Sequence, residues 1–405
     1  MRVTTAFNRL LRLPGATVTA VSFTAEGVVV AVRLRRRRPA CSACGQLAPI
    51  HDRSTRRWRH LDLGAQRCLL EAEICRVRCP DCGVKVEALP FARARARHTR
   101  DLEDVVAFLA QQTNKSAIAR LMRIDWETVG RIVERVVADH LDSERLQGLV
   151  MIGVDEVSRR RRHRYLTSVA DHVSGSVVWL REGRSAATLQ EFFEELGAER
   201  VTIQAVSIDM SGGYEKAVRE AIPHARVCFD PFHVVKLASE AVDQVRRAEW
   251  NAQGKSKTKG GRWVKGTRWA LLKAPERHTD KQAALLAEVQ DANRRLYRAF
   301  LLKEELRALY HDVSPDRAAQ HLDAWLAWAS RSKLRPFVKL ARTIRAHRDG
   351  VLDAVRLGLS NGRLEGLNSK VRLISHRSFG FHSAAPLIAL VYLCCGGIEI
   401  DLPLR

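Results

Sequence analysis

Between Leu149 and Asp230 five short apolar runs follow one another in an order that few folds accommodate. Leu149 to Val154, Tyr165 to Ala170 and Ser176 to Leu180 read as three neighbouring strands, with a turn at Asp171-His172-Val173-Ser174-Gly175 between the last two. An amphipathic helix follows over 185–197. Val201 to Ile208 then reads as a fourth strand, Tyr214 to Ala221 as a helix and Ala225 to Phe229 as a fifth strand. Three strands, helix, strand, helix, strand predicts a mixed sheet flanked by helices. Three of the runs close on an acid: Asp155, Asp209 and Asp230.

A single Asp at a strand end is ordinarily a cap or a turn residue. Several acids at the ends of buried strands, in a chain of formal net charge +23, need another reason. A basic chain that only bound nucleic acid would gain nothing by gathering carboxylates. Strand ends hold side chains rigidly, and spaced carboxylates can bridge two hard cations that act on a phosphodiester. A further acid, Glu365, follows Asn361-Gly362-Arg363-Leu364 at the start of a late helix. Asn368 and Arg372 lie three and seven residues on, so they share its face. Asp209 and Asp230 compete for the second metal position; Asp209 is preferred because the fourth strand of such a sheet lies beside the first. His233 is placed to orient a carboxylate or to bind phosphate. Glu156 and Asp171 read as supporting and turn residues.

The 405 residues predict two to four domains, and a hydrophobic fraction of 46% excludes general disorder. The charge points to a polyanionic partner, nucleic acid before an anionic membrane surface. No run of ~18 apolar residues is present, so no membrane span is expected. Residues 1–13 carry charges and lack a long apolar stretch, so no secretory signal is expected.

Nine cysteines fit a reducing compartment. Four of them form two knuckles, Cys41-Ser-Ala-Cys44 and Cys79-Pro-Asp-Cys82, each followed by glycine. Two such turns close one tetrahedral zinc site. A β-hairpin over 16–34 precedes them, and Arg67 to Leu70 and Ile74 to Arg78 have strand character between them. Residues 90–100 read as a basic linker. Lys115 to Met122, a turn at Arg123-Ile124-Asp125 and a helix from Trp126 to Val137 have the cadence of a helix-turn-helix, with Asp125 as N-cap. The first residues of its second helix, Trp126, Glu127, Thr128 and Arg131, are then candidates for base edges in a major groove. Arg159, Arg160, Arg161 and Arg162 follow Asp155 closely, where they would grip a DNA backbone. A second basic stretch holds Lys255, Lys257, Lys259, Arg262, Lys265 and Arg268 with Trp263 and Trp269 interleaved. An indole there can stack on an unpaired base, although Trp269 reads better as a helical core residue. From Pro231 to about Leu357 the pattern is almost wholly helical.

The run of strands and helices is similar to the ribonuclease H-like fold. With the knuckles, the helix-turn-helix, Gly153-Val154-Asp155-Glu156, Ser207-Ile208-Asp209-Met210, Asp230-Pro231-Phe232-His233-Val234 and Ser360-Asn361-Gly362-Arg363-Leu364-Glu365-Gly366-Leu367-Asn368, the chain resembles the ISL-three group of bacterial insertion-sequence transposases. That resemblance covers nearly the whole chain. It implies a DDE enzyme with Asp155, Asp209 and Glu365 as catalytic triad, two magnesium (or manganese) ions there, and one structural zinc. Asp230, His233, Asn368 and Arg372 would be accessory. Its implied substrate is DNA, both the terminal inverted repeats and the target. The reaction would be nicking and strand transfer by a homodimer or higher oligomer on DNA, with no membrane partner, in a bacterial cytoplasm at the nucleoid. The fold class expected is multidomain α+β. A zinc-binding β module (1–98) and a helix-turn-helix domain (99–147) precede a ribonuclease H-like core (148–235 and 358–405), which is interrupted by an all-helical insertion (236–357). Two rival functions remain: a DNA-binding regulator with an inactive core, and a metal-dependent nuclease that cuts without joining.

Overall fold

The structure, a computed structural model, describes residues 1–36, 38–160, 164–210, 212–378 and 381–403, with Arg159, Arg160, Arg164 and Arg363 described as backbone. Two compact units emerge, residues 1–142 with 374–405, and residues 143–373.

The first unit opens with α1 (Val3–Leu11), β1 (Ala16–Thr24), β2 (Gly27–Leu34), β3 (Ile50–Leu63), β4 (Gln66–Cys79) and β5 (Gly83–Val86). The sheet order is β1-β2-β4-β3, with β5 on β4. Alternating Val18, Val28, Val30 and Val32 bury one face with Trp58, Leu70 and Phe91, and Trp58 meets Phe91 edge-on at 5.3 Å between centroids. The two stretches expected as separate strands between the knuckles are one strand, β4. Its middle stays in the ladder because Glu71 and Glu73 lie opposite Arg57 and Thr55, and Glu71 pairs with Arg57 at 2.7 Å. The long partner β3 has little alternation to read, since Arg53, Arg56, Arg57 and Arg59 crowd around its one buried tryptophan.

Residues 90–100 are not a loose basic linker. Phe91, Ala92 and Ala96 are buried. So is Arg93, which donates to Asp139 (2.8 Å), Asp104 (2.6 Å) and Glu103 (3.4 Å). A buried guanidinium costs several kcal/mol of solvation unless its donors are met, and three carboxylates meet them here. The helices α2 (Arg100–Gln112), α3 (Lys115–Met122) and α4 (Trp126–His140) follow. Thr99 and Asn114 cap α2 and α3 through their side chains. Arg123 turns the chain at φ 53°. Asp125 occupies the N-cap position of α4 but makes no side-chain capping bond.

The second unit contains β6 (Met151–Arg160), β7 (Arg164–Asp171), β8 (Val177–Glu182), α5 (Ala186–Leu196), β9 (Ala205–Ile208), α6 (Gly212–Ala221) and β10 (Arg226–Phe229). The sheet order is β10-β9-β6-β7-β8. β6 runs antiparallel to β7 and parallel to β9, and β9 runs parallel to β10. Two expectations shift. β6 continues through Asp155, which faces Ser168 in the ladder, so this acid lies within its strand and not at its end. β9 is shorter than expected because residues 197–202 form a 3-10 turn that leaves Val201 exposed.

A helical stretch follows: α7 (Pro231–Ala252), α8 (Lys259–Gly266), α9 (Arg268–Leu272), α10 (Asp280–Ala292), α11 (Arg294–Ala308), α12 (Ala318–Arg331), α13 (Arg335–Ala346) and α14 (Arg348–Leu357). Trp325, Phe337 and Leu302 are buried there, whereas Trp269, expected in a core, is 54% exposed with the Arg268 guanidinium 5.0 Å from its ring centroid. α15 (Gly362–Arg377) and α16 (Ala385–Cys395) complete the described elements. α16 packs on α2 and α4, and Gln111 donates to its Leu393 carbonyl at 2.8 Å. Arg377 donates to the carbonyls of Gln111 (3.0 Å) and Ala110 (2.7 Å), which the end of α2 leaves free. None of the described helices is long and apolar enough to cross a membrane.

Candidate active site

Three strands of one sheet deliver acids to one place. Asp155 comes from within β6, Asp209 from the residue after β9 and Asp230 from the residue after β10. All three line a cavity of about 320 Å³, with Glu365 from the first turn of α15. Asn368 and Arg372 from α15, and His233 from the first turn of α7, share it. Sequence reasoning missed Lys236, Tyr165 and Phe232, which also line it. Lys236 was findable, since it lies one helical turn beyond His233.

The acids are held differently. Asp155 accepts from Asn368 Nδ2 at 2.6 Å and from the Glu156 amide at 2.7 Å. Burial pushes its carboxyl up, and burial followed by the nearby Asp209 charge does the same to Glu156. Asp209 is half-buried, with His233 Nδ1 4.0 Å from its carboxylate. Asp230 is 2% exposed, and backbone amides occupy both of its oxygens. His233 N donates to one at 3.3 Å, capping α7, and Asn361 N to the other at 2.9 Å. Asp230 therefore ties the start of α7 to the segment that carries Glu365.

That tie belongs to a larger lock. Gly153 and Ser207 stand two residues before Asp155 and Asp209, side by side in the β6–β9 ladder. Ser207 Oγ bonds His172 Nε2 at 2.6 Å and donates to Asn361 Oδ1. Asn361 O in turn accepts from the Glu365 amide at 2.7 Å. Gly153 leaves room for this seam: a Cβ there would meet Leu364 at 2.6 Å and His172 Nε2 at 3.0 Å. His172, Ser207 and Gly153 had no assigned role in the sequence reading. The signal available was a small residue two positions ahead of Asp155 and of Asp209.

Oxygen donors facing one cavity suit hard divalent cations such as magnesium or manganese. The thiols of Cys41, Cys44, Cys79 and Cys82 form a different set. Among the described residues they are the one group of three or more His, Cys, Asp or Glu whose ligand atoms all lie within 4.8 Å of one another. The Sγ atoms of Cys44 and Cys79 are 3.5 Å apart, the spacing of a tetrahedral zinc–sulfur site. Gly45 and Gly83 end the two turns at φ +76° and +71°, where a side chain would be strained. The amide of Ala43, turned toward Cys41 Sγ, lowers that thiol to about 7.

The candidate DNA contacts fall in three places. Trp126, Glu127, Thr128 and Arg131 occupy the first turns of α4. Trp126 is 49% exposed, with Lys115 Nζ 4.6 Å from its ring centroid. Arg159 and Arg160 end β6, while Arg161 and Arg162 lie outside the described residues. Lys257 sits in a 3-10 turn before α8, with Lys259 and Arg262 exposed on α8. Trp263 is half-buried, and its indole donates to Glu288 at 3.1 Å.

Residues 152–391 match a family described as "Transposase". Residues 87–137 match the "Helix-turn-helix domain of transposase family ISL3", and residues 29–82 a "zinc-finger of transposase IS204/IS1001/IS1096/IS1165". The chain is 43% identical over 407 residues to the transposase for insertion sequence element IS1557 of Mycobacterium tuberculosis, covering 94% of this chain and 91% of that protein. It is 30% identical over 347 residues to the transposase for IS1001 of Bordetella parapertussis, covering 84% and 85%. Against a Drosophila P element transposase strand transfer complex the TM-score is 0.42 at 12% identity, covering 74% of this chain and 92% of that one.

Proposed function

The chain belongs to the ISL3 family of insertion-sequence transposases, and we propose that it cuts the ends of its own element and joins them to new DNA with Asp155, Asp209 and Glu365 as its catalytic carboxylates. The observation that carries this reading is the meeting of acids from four separate sequence motifs in one cavity of a strongly basic chain. The order β10-β9-β6-β7-β8, with β7 as the antiparallel neighbour of β6, supports a ribonuclease H-like core. Residues 236–357 would be its helical insertion, between a core of 148–235 and 358–405, and residues 1–98 and 99–147 would be the zinc and helix-turn-helix domains.

Asp155, Asp209 and Glu365 would hold two magnesium or manganese ions, which when bound activate water and stabilise charge on the attacking and leaving oxygens. Asp209 is favoured over Asp230 because both Asp230 oxygens already serve backbone amides. Asn368 fixes the orientation of Asp155. Arg372 and Lys236 line the cavity as cations for the scissile phosphate, and His233, beside Asp209, orients that carboxylate. The four cysteines would hold a structural zinc.

Trp126, Thr128 and Arg131 would read base edges in the terminal inverted repeats. Arg159, Arg160, Arg161, Arg162, Lys257, Lys259 and Arg262 would grip backbone. Joining two element ends to one target calls for at least a dimer on DNA.

The test is excision in cells of a marker flanked by the element's own ends, with DNA binding measured for each variant. Asp155→Ala, Asp209→Ala and Glu365→Ala should bind and not excise. Wild type that binds and never excises would favour a regulator, and pre-cut ends that are never joined would favour a nuclease.

A further inference from the structure

We infer that the cavity between α7, α8 and α9 is a second DNA-backbone site, which grips the same duplex about five base pairs from the scissile phosphate. This rests on the function proposed above and adds to it where on the DNA the helical stretch acts. The cavity is about 570 Å³. Five cations line it, Arg246 and Arg247 from α7, Arg262 and Lys265 from α8 and Arg268 from α9, with the indoles of Trp250 and Trp269 and, among the described residues, no acid. Arg262, Lys265, Arg268 and Trp269 are exposed. Asp243 bridges two of the cations, accepting from Arg246 at 2.6 Å and from Arg247 at 2.7 Å, so its single charge leaves four positive charges in excess. The Trp250 indole N–H is buried with no hydrogen-bond partner among the described residues. Clustered cations beside a free indole donor match the oxygens of a phosphodiester.

Its spacing from the acids comes from α7, which reaches both cavities. Lys236 lines the acid-bearing cavity, and Arg247 lines the basic one eleven residues later. At 100° per residue the two lie about 20° apart around the helix, so they share a face. At 1.5 Å per residue they are about 16 Å apart along it. Duplex rises about 3.4 Å per base pair, so this spans about five steps. Glu240, exposed on the same face between them, is the acid that the duplex must skirt.

The test is a methylphosphonate scan of the full chain on duplexes bearing the element's terminal sequence, without added magnesium. Single phosphates are neutralised one at a time on both strands. Wild-type binding should weaken about tenfold when phosphates about five base pairs from the cleavage position are neutralised. Lys265→Ala/Arg268→Ala, which removes exposed side chains only, should be insensitive at those phosphates and unchanged at all others. A variant profile identical to wild type overturns the inference and leaves the proposed function standing. Wild type with no preference for the terminal sequence overturns both.

Discussion

In the first unit two tight turns bring four sulfurs within 4.8 Å of one another. In the second unit acids from four motifs line one cavity without converging in that way. The cysteine turns are fixed by backbone: Gly45 and Gly83 at positive φ, the Ala40–Leu47 bridge and the β4–β5 ladder. The acid site depends on side-chain seams, Ser207 to Asn361 and Asp230 to Asn361, that reach across the chain. A closed set binds a metal to hold a fold, while an open set keeps coordination positions for water and substrate. One site should therefore answer to stability and the other to turnover.

The largest effect should come from the thiols. Elemental analysis should find one zinc per chain, and Cys44→Ser or Cys79→Ser should remove it, unfold the first unit and abolish DNA binding. Structural zinc contributes on the order of 10 kcal/mol in small domains. A variant that keeps DNA binding without zinc would break the contrast.

Next come the carboxylates. Glu365→Gln should lower excision by on the order of 10³-fold or more and leave the melting temperature and DNA affinity near wild type. A large drop in melting temperature would make Glu365 structural.

A smaller effect is set by pH. His60 is buried against Thr99 Oγ1 at 2.9 Å, and burial lowers its pKa from 6.5 to about 4. The folded state thus resists a proton that the unfolded chain accepts. Its contribution is complete above pH 6.5 and is lost as pH falls toward about 4, amounting to about 3 kcal/mol. Melting temperature against pH should fall across that window in wild type and fall less steeply in His60→Asn, where His98, also lowered to about 4 by burial, still contributes. Parallel curves would remove His60 as the source.

Smallest is the seam itself. Gly153→Ala places a methyl 2.6 Å from Leu364, a crowding of about 1–3 kcal/mol. Calorimetry should show a lower melting temperature, and excision should fall with zinc content unchanged. Wild-type excision at a lowered melting temperature would separate the seam from Glu365 placement.

The cysteine turns, the hairpin and the order of strands in the second unit were legible because each is written locally, in turn chemistry and alternation. Asp155 was placed at a strand end because apolarity stops at Val154, yet β6 runs on to Arg160 through pairing with β7. Arg93 looked like a linker residue because its three carboxylate partners come from α2 and α4. Trp269 looked like core because an indole's burial depends on neighbours that sequence does not name. His172, Ser207 and Asn361 bond over separations of 35 and 154 residues, and no local pattern records such pairs.

The packing of α16 on α2 and α4 bears on the order of synthesis. The ribosome makes the helix-turn-helix early but its apolar lid, Leu387, Leu390 and Val391, only after Glu365. A nascent or prematurely ended chain therefore leaves those helix faces uncovered.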